Sequence, residues 1–171
     1  MNAQIDIKAA DRQDFIKAMR TVASSVSVVT TDGAAGRHGA TVSAFCSVSA
    51  DPPTLLVCLN SGSRIAQTVA ANGQFAVNVL PETERATAER FAGWRDEDDR
   101  FQGADWHEGD CPALNGATVF FCSVEETSIA GSHHVFFGRV EAIQEGRARP
   151  LTYFDGAFHR VELLKIDEGE A

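Results

Sequence analysis

The sequence predicts a mainly β fold with peripheral helices, arranged as an antiparallel barrel or sandwich. Three observations carry that prediction. Short β-rich runs dominate the chain, and only two or three helical segments lie between them. There is no regular alternation of strand and helix of the kind that builds a parallel, doubly wound sheet. No repeat, low-complexity tract or long linker divides the 171 residues. The expectation is therefore a single domain over 1–171, with a core of about 12–165, a flexible N-terminal arm and an acidic C-terminal tail.

The elements follow in order. Asp11 offers an N-cap with Asp14 three residues on, and Phe15, Ile16, Met19 and Val22 recur at helical spacing, predicting an amphipathic helix to about Ala23. Ser25 to Thr31 is rich in β-branched residues and reads as a strand, and Asp32 to Gly36 as a turn. Gly39 to Ser49 then reads as one continuous strand, stopped by Pro52-Pro53. Thr54 to Leu59 is continuously apolar and reads as a strand buried on both faces. Asn60 to Arg64 leads into a helix through Ile65 and Val69 that stops at Asn72-Gly73. Phe75 to Leu80 reads as a strand and Pro81 to Phe91 as a second substantial helix. Residues 92–116 are irregular and acidic, with Asp96-Glu97-Asp98-Asp99. Strand patterns return at Ala117 to Glu125, Val135 to Ile143 and Ala157 to Leu164.

Composition narrows the function classes. A net charge of −9 and a pI near 4.9 give no electrostatic help toward nucleic acid or an anionic membrane. An anionic ligand therefore needs a local positive site. No segment has the pattern of a signal peptide or the length of a membrane span, which favours a cytoplasmic location. Cys46, Cys58, Cys111 and Cys122 are widely spaced, without metal-ligand spacing to each other or to histidine. Cys46, Cys58 and Cys122 lie in apolar strand runs and read as small hydrophobes. No metal site is expected.

Three segments carry candidate chemistry. Along Gly39 to Ser49, the two-residue strand period sends Val42, Ala44, Cys46 and Val48 to one face and Thr41, Ser43, Phe45, Ser47 and Ser49 to the other. The first is a core face. The second is a row of hydroxyls around one ring, suited to a flat, phosphate-bearing ligand or to the exposed face of an ordinary antiparallel sheet. In Asn60-Ser61-Gly62-Ser63-Arg64, Ser61 or Ser63 can cap the following helix. The free N–H groups of its first turn, together with the guanidinium of Arg64, suit a phosphate. The bland alternative is a serine cap beside a surface arginine. In Gly131-Ser132-His133-His134, the two histidines start a strand and face opposite ways, so one at most serves a given site. His38, His107 and His159 have no comparable setting. Tyr153, Phe154 and Phe158 fit core packing better than a site wall. A dinucleotide-binding glycine fingerprint, a phosphate loop and a nucleophile elbow are all missing.

Taken together, four motifs resemble the short-chain flavin reductases, the reductase components of two-component flavin-dependent monooxygenases. They are Gly39-x-Thr41-x-Ser43-Ala44-Phe45-x-Ser47-Val48-Ser49-x-x-Pro52-Pro53, Leu55-Leu56-Val57-Cys58-Leu59-Asn60, Gly73-x-Phe75-x-Val77-Asn78-Val79-Leu80 and Gly131-Ser132-His133. The resemblance runs from about Phe15 to Val161 with the motifs in family order. It implies an FMN-binding split β-barrel of Greek-key antiparallel type, in a homodimer with flavin sites near the subunit interface. It implies that Thr41, Val42, Ser43, Ala44, Phe45, Ser47 and Val48 lie along the flavin, and that Asn60, Ser61, Ser63 and Arg64 lie near its phosphate. His133 falls where many members place a nicotinamide-contacting histidine, often preceded by Asp, where this chain has Ser132.

The implied reaction is hydride transfer from NADH or NADPH to FMN or FAD, with reduced flavin passed to a monooxygenase component. The two cofactors carry that chemistry, while the protein stacks, orients and excludes water. No side chain is singled out as catalytic; Ser43 and Ser47 are holders of a cofactor. Two alternatives stand beside it: a reductase of the same fold serving another acceptor such as a corrin cobalt, and, in a different class, a non-catalytic flavin-binding protein without nicotinamide turnover.

Overall fold

The computed structural model describes residues 9–93 and 100–164. Most of the expected N-terminal arm, the acidic run at 96–99 and the C-terminal tail from 165 lie outside the described residues. Among the described residues, helix α1 (Arg12–Met19) is followed by strands β1 (Ser24–Ser25), β2 (Ser27–Thr31), β3 (His38–Val42), β4 (Phe45–Ala50) and β5 (Pro53–Asn60). Helix α2 (Arg64–Asn72), β6 (Gln74–Val79) and helix α3 (Arg85–Ala92) come next. The short pair β7 (Trp106–His107) and β8 (Ala113–Leu114) precedes the long hairpin β9 (Thr118–Ala130) and β10 (His133–Gln144), and β11 (Thr152–Phe154) and β12 (Ala157–His159) close the chain.

The main sheet is antiparallel, in the order β3-β2-β6-β9-β10-β5-β4. Its two edge strands are consecutive in sequence, joined only by Ser43-Ala44. A flat sheet of this order would hold its edges about 29 Å apart, at 4.8 Å per strand step. Three Cα–Cα steps from Val42 to Phe45 span at most about 11 Å. The sheet must therefore curl until β3 and β4 meet, which makes a barrel split at the Ser43-Ala44 step. Read around the curl, β2-β3-β4-β5 runs on to β10-β9-β6 and back to β2, a Greek-key path.

That split corrects the single continuous strand the sequence suggests. Ala40 and Val42 of β3 pack on the interior cluster, whereas in β4 it is Phe45 that packs there. The two intervening residues reverse the inward parity, because a one-residue change of phase exchanges the faces of a strand. Cys46 and Val48, expected in the core, are exposed, Val48 by 50%. β5 is likewise not buried on both faces: Leu55, Val57 and Leu59 are buried, while Leu56 and Cys58 are half-buried.

The interior cluster is built from Val29, Val57, Phe75, Val77 and Phe136, closed by Ile65, Ala66 and Val69 of α2. A second cluster covers the outer face of β2, β6 and β9 with Ala88 and Phe91 of α3 and with Leu114. Buried Asn78 ties the two layers together. Its Nδ2 donates to the Val28 carbonyl and to Thr30 Oγ1, both at 3.1 Å, and its Oδ1 accepts from Leu114 N–H at 2.8 Å. Gly138 is required by close approach, since a Cβ there would lie 2.5 Å from Phe75 Cζ and 2.9 Å from Cys122 Cβ.

The helices follow their sequence signals at their ends. Asp11 caps α1 by accepting from Gln13 N–H and Asp14 N–H, and Gly73 ends α2 in the left-handed region at φ 70°. α1 stops at Met19, short of the expected Ala23, and α3 starts at Arg85 rather than Pro81. The last expected strand ends at His159, and β11, which the sequence reading missed, pairs with it.

Candidate functional site

Three connections meet at one end of the barrel. The Cys58 N–H donates to the Ala44 carbonyl at 2.9 Å, which pins the barrel break beside the end of β5. His133 is in register with Asn60, and the Ser61 N–H donates to the Ser132 carbonyl at 2.9 Å. The break, the Asn60–Arg64 loop and the Gly131-Ser132 hairpin turn are thus hydrogen-bonded into one unit. Gly131 holds φ 59° at the first position of that two-residue turn, where a glycine is favoured.

The Asn60–Arg64 loop is shaped by its own side chains. Asn60 Oδ1 accepts from Gly62 N–H at 2.9 Å, and the Asn60 carbonyl accepts from Ser63 N–H at 2.9 Å and from Ser63 Oγ. Ser63 Oγ also accepts from Ala66 N–H at 3.4 Å, so Ser63, not Ser61, is the N-cap of α2. Ser61 Oγ is buried without a hydrogen-bond partner. An orphaned hydroxyl next to the free N–H groups of a helix start, with Arg64 opening that helix, fits a phosphate group.

Of the residues expected along a flavin, Ser43 and Ala44 are exposed at the break. Two clefts flank Ser43. One, of about 600 Å³, lies between β3, α3 and the β11–β12 hairpin, and is lined by Thr41, Val42, Arg85, Glu89, Tyr153 and Phe158. The other, of about 410 Å³, lies between α1 and the same hairpin. Thr41 does not offer its hydroxyl to a ligand, because Oγ1 donates to the Ala88 carbonyl at 2.7 Å. Val42 and Phe45 pack against the interior. Ser47 and Val48 are exposed but run away along β4, about 10 Å or more from Ala44 at 3.3 Å per residue. Tyr153 and Phe158 line the larger cleft, Phe158 also packing against the outer core cluster as expected, with the Arg85 guanidinium 5.4 Å from the Phe158 ring centre.

The two histidines of the hairpin face opposite ways, as their spacing requires. His133 is exposed, and its Nδ1 lies 3.0 Å from Ser132 Oγ. His134 turns toward the interior and stacks edge-on to Phe136 at 5.7 Å. His38 is a residue the sequence reading passed over. It is buried at the start of β3, and its pKa is pushed down to about 4 by burial and then by the charges of Arg100 and Arg64. Arg100 is fixed beside this imidazole by donating to the Gly39 and Gly93 carbonyls. Only the folded arrangement brings 38, 64 and 100 together.

Cys111 and Cys122 are buried thiols with pKa values pushed up to about 11 and about 12, first of all by burial. That suits inert packing groups. Among the described residues no cluster of His, Cys, Asp and Glu is arranged to hold a metal ion.

A split antiparallel barrel with a phosphate-suited helix start beside its break defines a nucleotide-binding barrel protein. The chain belongs to the flavin reductase-like domain family, whose model matches residues 19–162. It is 41% identical over 157 residues to the FMN reductase (NADH) RutF of Ancylobacter novellus, an alignment covering 90% of this chain and 87% of that one. An NADH:FAD oxidoreductase from Streptomyces globisporus, solved with NAD and FAD fragments, superposes with a TM-score of 0.82 at 27% identity, covering 91% and 98% of the two chains. The styrene monooxygenase flavin reductase of Pseudomonas putida superposes at 0.79 with 30% identity, covering 88% and 99%.

Proposed function

We propose that this chain is an NADH-dependent flavin reductase that takes FMN as its flavin and supplies reduced flavin to a separate oxygenase. One observation carries the reading: the barrel break, the α2 start with its orphaned Ser61 hydroxyl, and the His133 hairpin are hydrogen-bonded into one site. The relatives support the rest. The RutF name specifies FMN and NADH, and the styrene monooxygenase reductase serves an oxygenase.

In this reading each segment has a role. Ser61, Arg64 and the first N–H groups of α2 hold the phosphate. Asn60 and Ser63 shape that loop, their side chains being spent within it. Ser43 and Ala44 present backbone and small side chains to the ring system, with Thr41, Val42 and Phe45 as its rigid backing and Ser47 and Val48 farther along. His133 orients the nicotinamide. When bound, the flavin supplies the hydride acceptor and NADH the donor, so the protein needs no acid, base or nucleophile. It contributes orientation and exclusion of water.

We read the functional unit as a cytoplasmic homodimer of single-domain chains. Phe15, Ile16, Met19 and Val22 of the α1 segment are 45–60% exposed, apolar surface suited to a second copy. Four free cysteines suit a reducing compartment. The test is NADH oxidation with and without FMN, repeated with FAD and NADPH. Flavin-dependent oxidation, fastest with FMN and NADH, is expected; none with any pair overturns the reading.

A further inference from the structure

Ser132 touches both halves of this site. Its carbonyl accepts from Ser61 N–H at 2.9 Å, which anchors the hairpin turn to the phosphate loop. Its hydroxyl lies 3.0 Å from Nδ1 of the next residue, His133. The ring stands at the exposed start of β10, in register with Asn60 on one side and Ala130 on the other, and neither of those side chains is a proton donor to Nδ1 in the hydrogen bonds described. An unrestrained imidazole turns freely about a broad χ2 and exchanges its proton between two nitrogens.

A serine hydroxyl donating into the Nδ1 lone pair removes both freedoms. It sets the plane of the ring and leaves the proton on Nε2, the nitrogen directed away from the turn. The outer edge of His133 is then a hydrogen-bond donor, which matches an acceptor such as an amide carbonyl oxygen and mismatches an amide NH₂. We propose that Ser132 is a positioning residue that holds His133 as the Nε2–H tautomer, so that it donates to the carboxamide oxygen of the nicotinamide. The proposal rests on the reading of His133 as the nicotinamide contact. A hydroxyl, unlike a carboxylate, does this without adding charge to the site.

Full-length protein with FMN tests this through two readouts. Ring ¹⁵N shifts of His133 are expected to report protonated Nε2 and unprotonated Nδ1 in the native protein, and a more averaged pair in Ser132→Ala. The KM for NADH is expected to rise about two- to tenfold in Ser132→Ala, the range of one neutral hydrogen bond. The KM for FMN and kcat should change far less, and Ser132→Thr should restore both the ring shifts and the KM. A native His133 protonated at Nδ1 overturns the proposal. So does an unchanged NADH KM in Ser132→Ala when His133→Ala raises it. An unchanged NADH KM in both variants overturns instead the assignment of His133 on which the proposal rests.

Discussion

Replacing Arg64 with alanine probes the phosphate end of the site most sharply. Arg64 is the first residue of α2, directly after the N-cap Ser63, and its side chain is exposed. A guanidinium–phosphate hydrogen bond is charge-assisted and contributes about 1.5–3 kcal/mol when well shielded. Exposure to water and salt moves the value toward the lower end, about 1–2 kcal/mol, or roughly a 5- to 30-fold rise in Kd for FMN. Binding should weaken rather than vanish, because the helix N–H groups and Ser61 remain. Flavin fluorescence titrations of native and Arg64→Ala protein measure this directly, with riboflavin in parallel. Riboflavin lacks the phosphate, so its affinity should change less than twofold, and added salt should narrow the FMN difference. An unchanged FMN affinity, or an equal loss for riboflavin, would refute the phosphate assignment.

Two further outcomes follow from the frame around the site. Asn78→Ala leaves the buried Leu114 N–H without its partner, removes the side-chain bonds to Val28 and Thr30, and should cost about 2–4 kcal/mol in urea unfolding; a loss under about 1 kcal/mol would contradict its bridging role. His38 titrates near 6.5 when unfolded and at about 4 when folded, so the unfolded chain binds the extra proton first as pH falls. Its contribution to stability, at most about 3 kcal/mol, is complete above pH 6.5 and is lost progressively between 6.5 and 4. Urea midpoints at pH 7 and pH 5 should therefore drop more for the native protein than for His38→Gln, and equal drops would rule this histidine out as the cause.

The parts of the fold that depend on local chemistry were legible in the sequence. Asp11 and Gly73 announce their helix ends by residue type, and the Asn60–Arg64 segment announces a helix start. The antiparallel class follows from the strand runs alone. The barrel break did not announce itself. Ser43-Ala44 holds neither glycine nor proline, and Gly39 to Ser49 alternates well enough to pass for one strand. What breaks it is the closure of the whole sheet, which asks one segment to form both edges. The partner of the Thr41 hydroxyl was hidden for a related reason, since it donates to the Ala88 carbonyl, 47 residues away. His38 gained its role from Arg64 and Arg100, which lie far along the chain. The Asn60–Arg64 loop stood out in the sequence because a capped helix start is a local motif, while the choice of Ser63 over Ser61 as the cap is made by the fold. The larger cleft was missed because Arg85, Tyr153 and Phe158 come from three separate elements.

The central claim is that FMN held at the barrel break is reduced by NADH within this site. Anaerobic mixing of the FMN-loaded protein with one equivalent of NADH tests it most directly, read as loss of the visible flavin absorbance. Complete, stoichiometric bleaching is expected, fast compared with free FMN and slowed at subsaturating NADH in His133→Ala. Protein-bound FMN that stays oxidised in the presence of excess NADH would contradict it.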